Sequence, residues 1–170
     1  MNDTTSFKLN GETIACPVSG AGTLLDLLRD TARLTSARPG CRIGRCGACT
    51  VLLDGEAVPA CLVMIWQLAG RQVETVEGLQ DDQDFLVVRD ALARESALQC
   101  GYCTPGFAVS LVSGIRHQRS GQETDLGEAI AGNLCRCTGY GGLGRAIQRL
   151  TDSCCREDTA AGNDNDFSGD

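Results

Sequence analysis

Gln-Cys-Gly-Tyr-Cys-Thr-Pro-Gly (99–106) and Asn-Leu-Cys-Arg-Cys-Thr-Gly-Tyr (133–140) bracket the stretch that decides how this chain is read. The first holds Cys100 and Cys103 as C-x2-C, the second Cys135 and Cys137 as C-x-C, and a helical-looking segment joins them. Four thiols gathered at a helix hairpin make a soft, roughly tetrahedral sulfur site, suited to an iron–sulfur cluster or to zinc. The spacing alone does not choose between those metals.

A second cysteine set lies upstream. Cys41, Cys46 and Cys49 form C-x4-C-x2-C, and Cys61 follows at a distance. That is the plant-type [2Fe–2S] spacing, and two cluster sites in one small chain mean electron transfer. A zinc-binding interaction module is the competing reading. In Cys41-Arg-Ile-Gly-Arg-Cys-Gly-Ala-Cys49, Gly44 and Gly47 permit the positive-φ turns that aim backbone N–H groups at sulfur. Arg42 and Arg45 either raise the potential by stabilising the reduced cluster or are solvated loop charges.

The composition agrees with metal ligation. Eleven cysteines in 170 residues, an odd number with C-x-x-C spacings, do not describe a disulfide framework. No export signal is expected from Met-Asn-Asp-Thr-Thr-Ser. The apolar run Ala60–Trp66 is too short to cross a bilayer. The expected location is cytoplasmic. The net charge of −7 is concentrated in the last twenty residues, so no basic stripe for nucleic acid is implied.

Taken in order, Thr4–Leu9 and Thr13–Ala15 flank Asn10-Gly11, and Thr50–Leu53 and Glu56–Ala60 flank Asp54-Gly55; both are hairpin signals. Thr23 with Asp26 can cap a helix carrying Leu24, Leu25, Leu27 and Leu28 through about Thr31. Ser36–Cys49 reads as a loop, Gln72–Thr75 as a short strand, and Val76–Asp84 as a linker. Helices are expected over Asp84–Ala93, from a Thr104 cap with Pro105 at its first position, over Thr124–Ala131, and around Leu143, Ala146, Ile147 and Leu150. The buried stripe of the second is Phe107, Ala108, Leu111, Val112 and Ile115. The fold class is therefore α+β. Strands with one helix packed across them resemble a β-grasp, plant-type ferredoxin domain (1–77). A C-terminal four-helix bundle domain (78–157) follows, then a disordered acidic tail (158–170). Cys16, Cys154 and Cys155 match no ligand position, and His117 reads as a solvated helix-end residue.

Gly40-Cys41, Cys46-Gly-Ala-Cys-Thr-Val51 and the two stretches quoted first resemble the small iron–sulfur subunit of molybdenum hydroxylases. That family takes in xanthine dehydrogenases, aldehyde oxidoreductases, carbon monoxide dehydrogenases and N-heterocycle hydroxylases. The resemblance runs from Thr5 to Leu150. It implies one [2Fe–2S] cluster on Cys100, Cys103, Cys135 and Cys137, nearest the molybdopterin, and an outer one on Cys41, Cys46, Cys49 and Cys61. Gln99 would hydrogen-bond the pterin, and Cys137 would lie against its amino group. Oxidation of a purine, another N-heterocycle or an aldehyde would occur on a large molybdopterin (Mo) subunit. A medium FAD subunit would receive the electrons, in a heterotrimer that can pair into a dimer of heterotrimers. This chain would itself carry no catalytic residue. Many relatives have an acidic residue where Arg45 stands, which leaves the docking partner and the potential open. A stand-alone two-cluster ferredoxin is the alternative; it would need no pterin contact from Gln99.

Overall fold

Two tight hairpins start the fold. Asn10 (φ 50°) and Gly11 (φ 86°), then Asp54 (φ 53°) and Gly55 (φ 90°), take the left-handed conformations that a two-residue turn demands. The computed structural model describes residues 4–17 and 22–160, with side chains through Asp152. The first hairpin joins β1 (Thr4–Leu9) to β2 (Glu12–Pro17), the second β3 (Thr50–Leu53) to β4 (Glu56–Pro59). β5 (Gln72–Glu74) completes a sheet of order β2-β1-β5-β3-β4. Only the β1–β5 pairing is parallel.

Thr23 caps α1 (Leu24–Asp26) through a capping box with Asp26, as its sequence predicts. The segment continues as a π-helical turn over Leu27–Thr31 rather than as one α-helix. Leu24, Leu25 and Leu28 are fully buried beneath it, against Phe7, Val51, Leu53 and Val73. Leu52, one residue out of phase, points instead into the core of the helical half. Both faces of β3 are covered, so Thr50-Val-Leu-Leu53 is buried throughout and shows no alternation.

The helical half holds α2 (Gln83–Arg94), α3 (Thr104–Arg119), the one-turn α4 (Leu126–Ala129) and α5 (Gly141–Ala160). Residue Thr104 is the first helical residue, not the cap: Cys103 precedes it with no side-chain cap bond. Nor is α3 amphipathic. Every residue from Gly106 to Ile115 is buried, because β3, α2 and α4 surround it. The third helix is shorter than its sequence suggests, starting after the Asp125 cap.

Residues 76–82 do not form a loose linker. Leu79 is buried, and Asp82 caps α2 by accepting from the Phe85 amide. The Glu77 carboxylate takes the Thr35 and Ser36 amides, both at 2.9 Å. Arg116 of α3 reaches Asp82 at 2.8 Å and Glu74 of β5 at 3.4 Å. This stretch therefore fastens the helices to the sheet. Residues 158–160, expected as the start of a disordered tail, continue α5 instead; the rest of the predicted tail, and the side chains of Cys154 and Cys155, lie outside the described residues.

Candidate functional site

The loop Ser36–Cys49 wraps the rim of the sheet, and its turns do what its glycines predict. Arg42 (φ 57°), Gly44 (φ 75°) and Gly47 (φ 65°) are left-handed. Their bends turn a run of amides onto sulfur: Cys41 N–H donates to Cys46 Sγ at 3.3 Å, Arg45 N–H to Cys41 Sγ at 3.2 Å, and Gly44 N–H to Cys61 Sγ at 3.3 Å. Ile43 N–H adds a longer one to Cys41 Sγ at 3.5 Å. Such a concave set of amides suits a negatively charged, sulfur-ligated group. A Cβ on Gly40 would stand 2.6 Å from Cys46 Sγ, and one on Gly44 would collide with the Leu62 side chain. Cys61 arrives from the 3-10 turn Ala60–Leu62 that follows β4. Arg42 is ion-paired with Asp26 at 2.8 Å.

The second set is built on helix ends. Cys100 and Cys103 precede α3, and Cys135 and Cys137 lie in the turn before α5. Here an amide and side chains share the work: Thr138 N–H donates to Cys135 Sγ at 3.5 Å. The Thr138 hydroxyl donates to Cys135 Sγ at 3.2 Å, and Cys135 N–H donates to Tyr140 Oη at 2.9 Å. Cys137 Sγ donates to Cys100 Sγ at 3.6 Å.

Among the described residues, no three His, Cys, Asp or Glu groups form a single-ion site. The thiols meet in pairs instead: Cys41 with Cys46, Cys49 with Cys61, Cys100 with Cys137 and Cys103 with Cys135. Two pairs per site suit a two-iron cluster, in which each iron takes two protein sulfurs. The titration behaviour fits the same donor set. Burial, then the neighbouring Cys61 and Cys46, push Cys49 up to about 12. Burial and Cys135 push Cys103 up to about 12. The Ile43 amide, with help from Cys46 and Arg45, draws Cys41 down to about 7. At Cys135 burial works upward, yet the Thr138 hydroxyl and amide prevail and bring it to about 7. Thiolates this close repel one another, and bound metal cations reverse that repulsion. The residues present therefore fit the cluster that the spacing calls for.

Gln99 is exposed beside exposed Cys100 and Cys137. Exposed Leu98, Tyr102, Leu134 and Tyr140 belong to the same two segments. Cys16 is buried in β2, where it pairs with Thr5, far in sequence from either set. His117 is not a solvated end residue; its Nε2 lies 3.0 Å from Glu56 of β4. Sequence reasoning missed Asn133. It is buried between the two cysteine loops, and its only signal was its place two residues before Cys135.

Known proteins match this arrangement. Residues 7–85 fit the family model of a 2Fe-2S iron-sulfur cluster binding domain, and residues 75–148 that of a [2Fe-2S] binding domain. The chain is 44% identical over 127 residues to a probable xanthine dehydrogenase subunit of Bacillus subtilis (strain 168), covering 75% of this chain and 73% of that one. It is 41% identical over 140 residues to the nicotine 6-hydroxylase small subunit of Paenarthrobacter nicotinovorans, covering 82% and 84%. Among solved structures, quinoline 2-oxidoreductase from Pseudomonas putida 86 superposes with a TM-score of 0.76 at 35% identity, covering 94% of this chain and 97% of that one.

Proposed function

The chain belongs to the family of two-cluster iron–sulfur subunits of molybdenum hydroxylases, and from that premise we propose how its residues divide the work. It is an electron-transfer subunit of an oxidoreductase complex and carries two [2Fe–2S] centres. Cys100, Cys103, Cys135 and Cys137 hold the centre facing the molybdopterin subunit; Cys41, Cys46, Cys49 and Cys61 hold the outer one. The clusters, when bound, supply one-electron carriers between two-electron oxidation at molybdenum and a flavin. The observation that carries this assignment is the asymmetry of exposure. Cys49 and Cys61 are buried, whereas Cys100 and Cys137 are exposed among exposed apolar side chains, which suits a face that a large partner covers.

Gln99 stands on that face with an amide that can donate and accept, as contact with a pterin requires. We read the sheet half, residues 1–77, as a β-grasp ferredoxin domain. The helices up to residue 157 then form a small four-helix bundle domain. Partners are a large molybdopterin subunit and a medium FAD subunit, in a cytoplasmic heterotrimer or a dimer of heterotrimers. Among the described residues no helix is long and apolar enough to span a membrane. The substrate class is a purine, another N-heterocycle or an aldehyde, in keeping with relatives named for xanthine, nicotine and quinoline.

Co-expression with the adjacent reading frames tests this. A complex containing molybdopterin and FAD is expected, with two distinct paramagnetic iron–sulfur signals on reduction by substrate. Stoichiometric zinc, or a monodisperse iron-replete monomer that takes no partner, would overturn it.

A further inference from the structure

Thr-Gly-Tyr (138–140) follows the last thiol of the helix-end site and folds back over Cys135. Gly139 (φ 62°) and Tyr140 (φ 65°) are both left-handed. A residue with a Cβ keeps that conformation only where its surroundings hold it, and two contacts hold Tyr140. Its carbonyl accepts from Gly144 N–H of α5 at 2.8 Å. Its ring meets buried Phe107 edge-on, with the centroids 6.5 Å apart. The fold-back closes a short chain of hydrogen bonds. Tyr140 N–H donates to Thr138 Oγ1 at 3.3 Å, and Thr138 Oγ1 donates to Cys135 Sγ at 3.2 Å. A hydroxyl has one proton to give; with the Tyr140 amide on its oxygen, that proton is aimed at sulfur. Tyr140 Oη meanwhile takes Cys135 N–H at 2.9 Å, which pins the cysteine beneath the threonine. Among the described residues, Cys135 is the site thiol that takes a hydroxyl, whereas the donors at the sheet rim are backbone amides.

Resting on the cluster assignment above, we infer that Thr138 is a positioning residue for electron uptake: its hydroxyl, aimed by Tyr140 N–H, raises the potential of the helix-end centre by stabilising negative charge on the Cys135 sulfur. Reduction of that centre adds one electron, drawn from molybdenum, and turns one ferric iron ferrous. The added charge spreads onto the ligand sulfurs. A donor already in place on one of them lowers the energy of the reduced state more than that of the oxidised state. The proton stays on Thr138, so no bond is made or broken. Threonine suits the task because its β-branch restricts χ1, and the Tyr140 amide fixes the freedom the hydroxyl retains. An oxygen that accepts one hydrogen bond also donates the next more strongly. Thr138 is half-buried beside exposed Cys137, so a partner that covers this face excludes competing water and strengthens the bond.

The test uses the assembled complex carrying Thr138→Val, which keeps the shape and loses the hydroxyl, or Thr138→Ser, which keeps the hydroxyl. Iron content and both paramagnetic signals of the unmutated complex are measured first. A single signal there would refute the cluster assignment, and this inference with it. The signal that survives Cys49→Ser marks the helix-end centre. In Thr138→Val its reduced-to-oxidised ratio at a fixed potential should fall roughly tenfold, a drop of about 59 mV for one electron. The sheet-side potential should stay where it is, and Thr138→Ser should restore most of the difference. A fully loaded Thr138→Val complex with an unchanged helix-end potential overturns the inference. So do equal shifts at both centres, or a serine variant that matches the valine one. Should Thr138→Val fail to load, the unmutated complex decides after transfer into D2O. A deuteron that enters within seconds and couples to the helix-end signal supports the hydroxyl, which exchanges faster than a hydrogen-bonded amide; the lack of one overturns it.

Discussion

The sheet-side loop and the helix-end site both gather four thiols, but they do so by different means. At the sheet rim, left-handed turns at Arg42, Gly44 and Gly47 point backbone amides at the sulfurs of Cys41, Cys46 and Cys61. At the helix ends, the Thr138 hydroxyl and amide both donate to Cys135 Sγ and Cys137 meets Cys100, while the Tyr140 hydroxyl takes up the Cys135 amide. Amide dipoles aimed at a cluster favour its more negative, reduced state. The sheet-side centre should therefore be reduced at the higher potential and accept electrons from the helical one. The same contrast separates a loop with two of its thiols buried from a site with two of its thiols exposed.

The largest expected effect removes one side of the comparison. Cys49→Ser should weaken or abolish the sheet-side cluster and release up to half of the iron, while the helix-end signal persists. Serine can still offer oxygen, so loss can be partial, but transfer to the flavin should slow sharply. Substrate should still reduce molybdenum and the helix-end centre. Metal analysis with rapid-mixing spectroscopy checks this; a block of the first electron step, with the helix-end cluster still formed, would reverse the assignment of inner and outer clusters.

Next comes the joint between the two regions. Arg116→Leu removes a half-buried cation shared by Asp82, Glu74 and Asp84. A hydrogen bond to a charged partner contributes roughly 1.5–3 kcal/mol, and partial exposure places this loss near the lower end. The effect should depend on pH. Burial works to raise the Asp82 carboxyl, but the Phe85 amide and Arg116 outweigh it and hold it below the usual range. A carboxyl depressed on folding adds stability above its unfolded pKa of about 4 and loses it as pH falls through the lower folded value. The gap in urea midpoint between wild type and variant should accordingly be full at neutral pH and shrink below about pH 4. A constant gap would mean that packing, not charge, explains the joint.

Much of this was legible in the sequence because the signals were local. Asn10-Gly11, Asp54-Gly55 and the Thr23–Asp26 box each act within four residues, and each forms as read. The cysteine sets were legible because sulfur spacing is itself the chemistry. What escaped notice depends on contacts between distant segments. Residues 76–82 look like a linker, yet Glu77 and Asp82 find partners in Ser36 and Arg116. The sequence of α3 reads as one apolar stripe, yet Ser110 and Ser113 are buried because Asn133 and the Gly55 carbonyl meet their hydroxyls. Nothing near Asn133 in sequence announces Gly47 as its partner. The π turn at Leu27–Thr31 also lacks a sequence cue.

Gly44→Ala should sharpen the contrast in potentials. The position is left-handed (φ 75°), which costs a residue with a Cβ roughly 1–2 kcal/mol, and the added methyl meets Leu62. The loop should bend away enough to lengthen the Gly44 N–H contact with Cys61 Sγ, now 3.3 Å. A lower potential at the sheet-side centre, with the helix-end centre unmoved, is the expected result of a redox titration. Equal shifts at both centres would show that the amides are not what distinguishes them.

The smallest effect is expected at Gln99. Its side chain is exposed in this chain alone, so Gln99→Ala removes no internal support and should leave all eight thiols, both clusters and the melting behaviour intact. What it removes is one hydrogen bond to a partner's cofactor, typically about 1 kcal/mol. That corresponds to a several-fold loss in the rate at which molybdenum passes electrons to the helix-end centre, with the later step to the sheet-side centre unchanged. Rapid-mixing reduction followed at each centre separates the two steps. The contrast with Cys49→Ser makes the measurement informative, because that change acts only on the second step. If Gln99→Ala instead slowed the second step, or destabilised the isolated chain, Gln99 would belong to the internal scaffold and the face around Cys100 and Cys137 would lose its claim to the pterin.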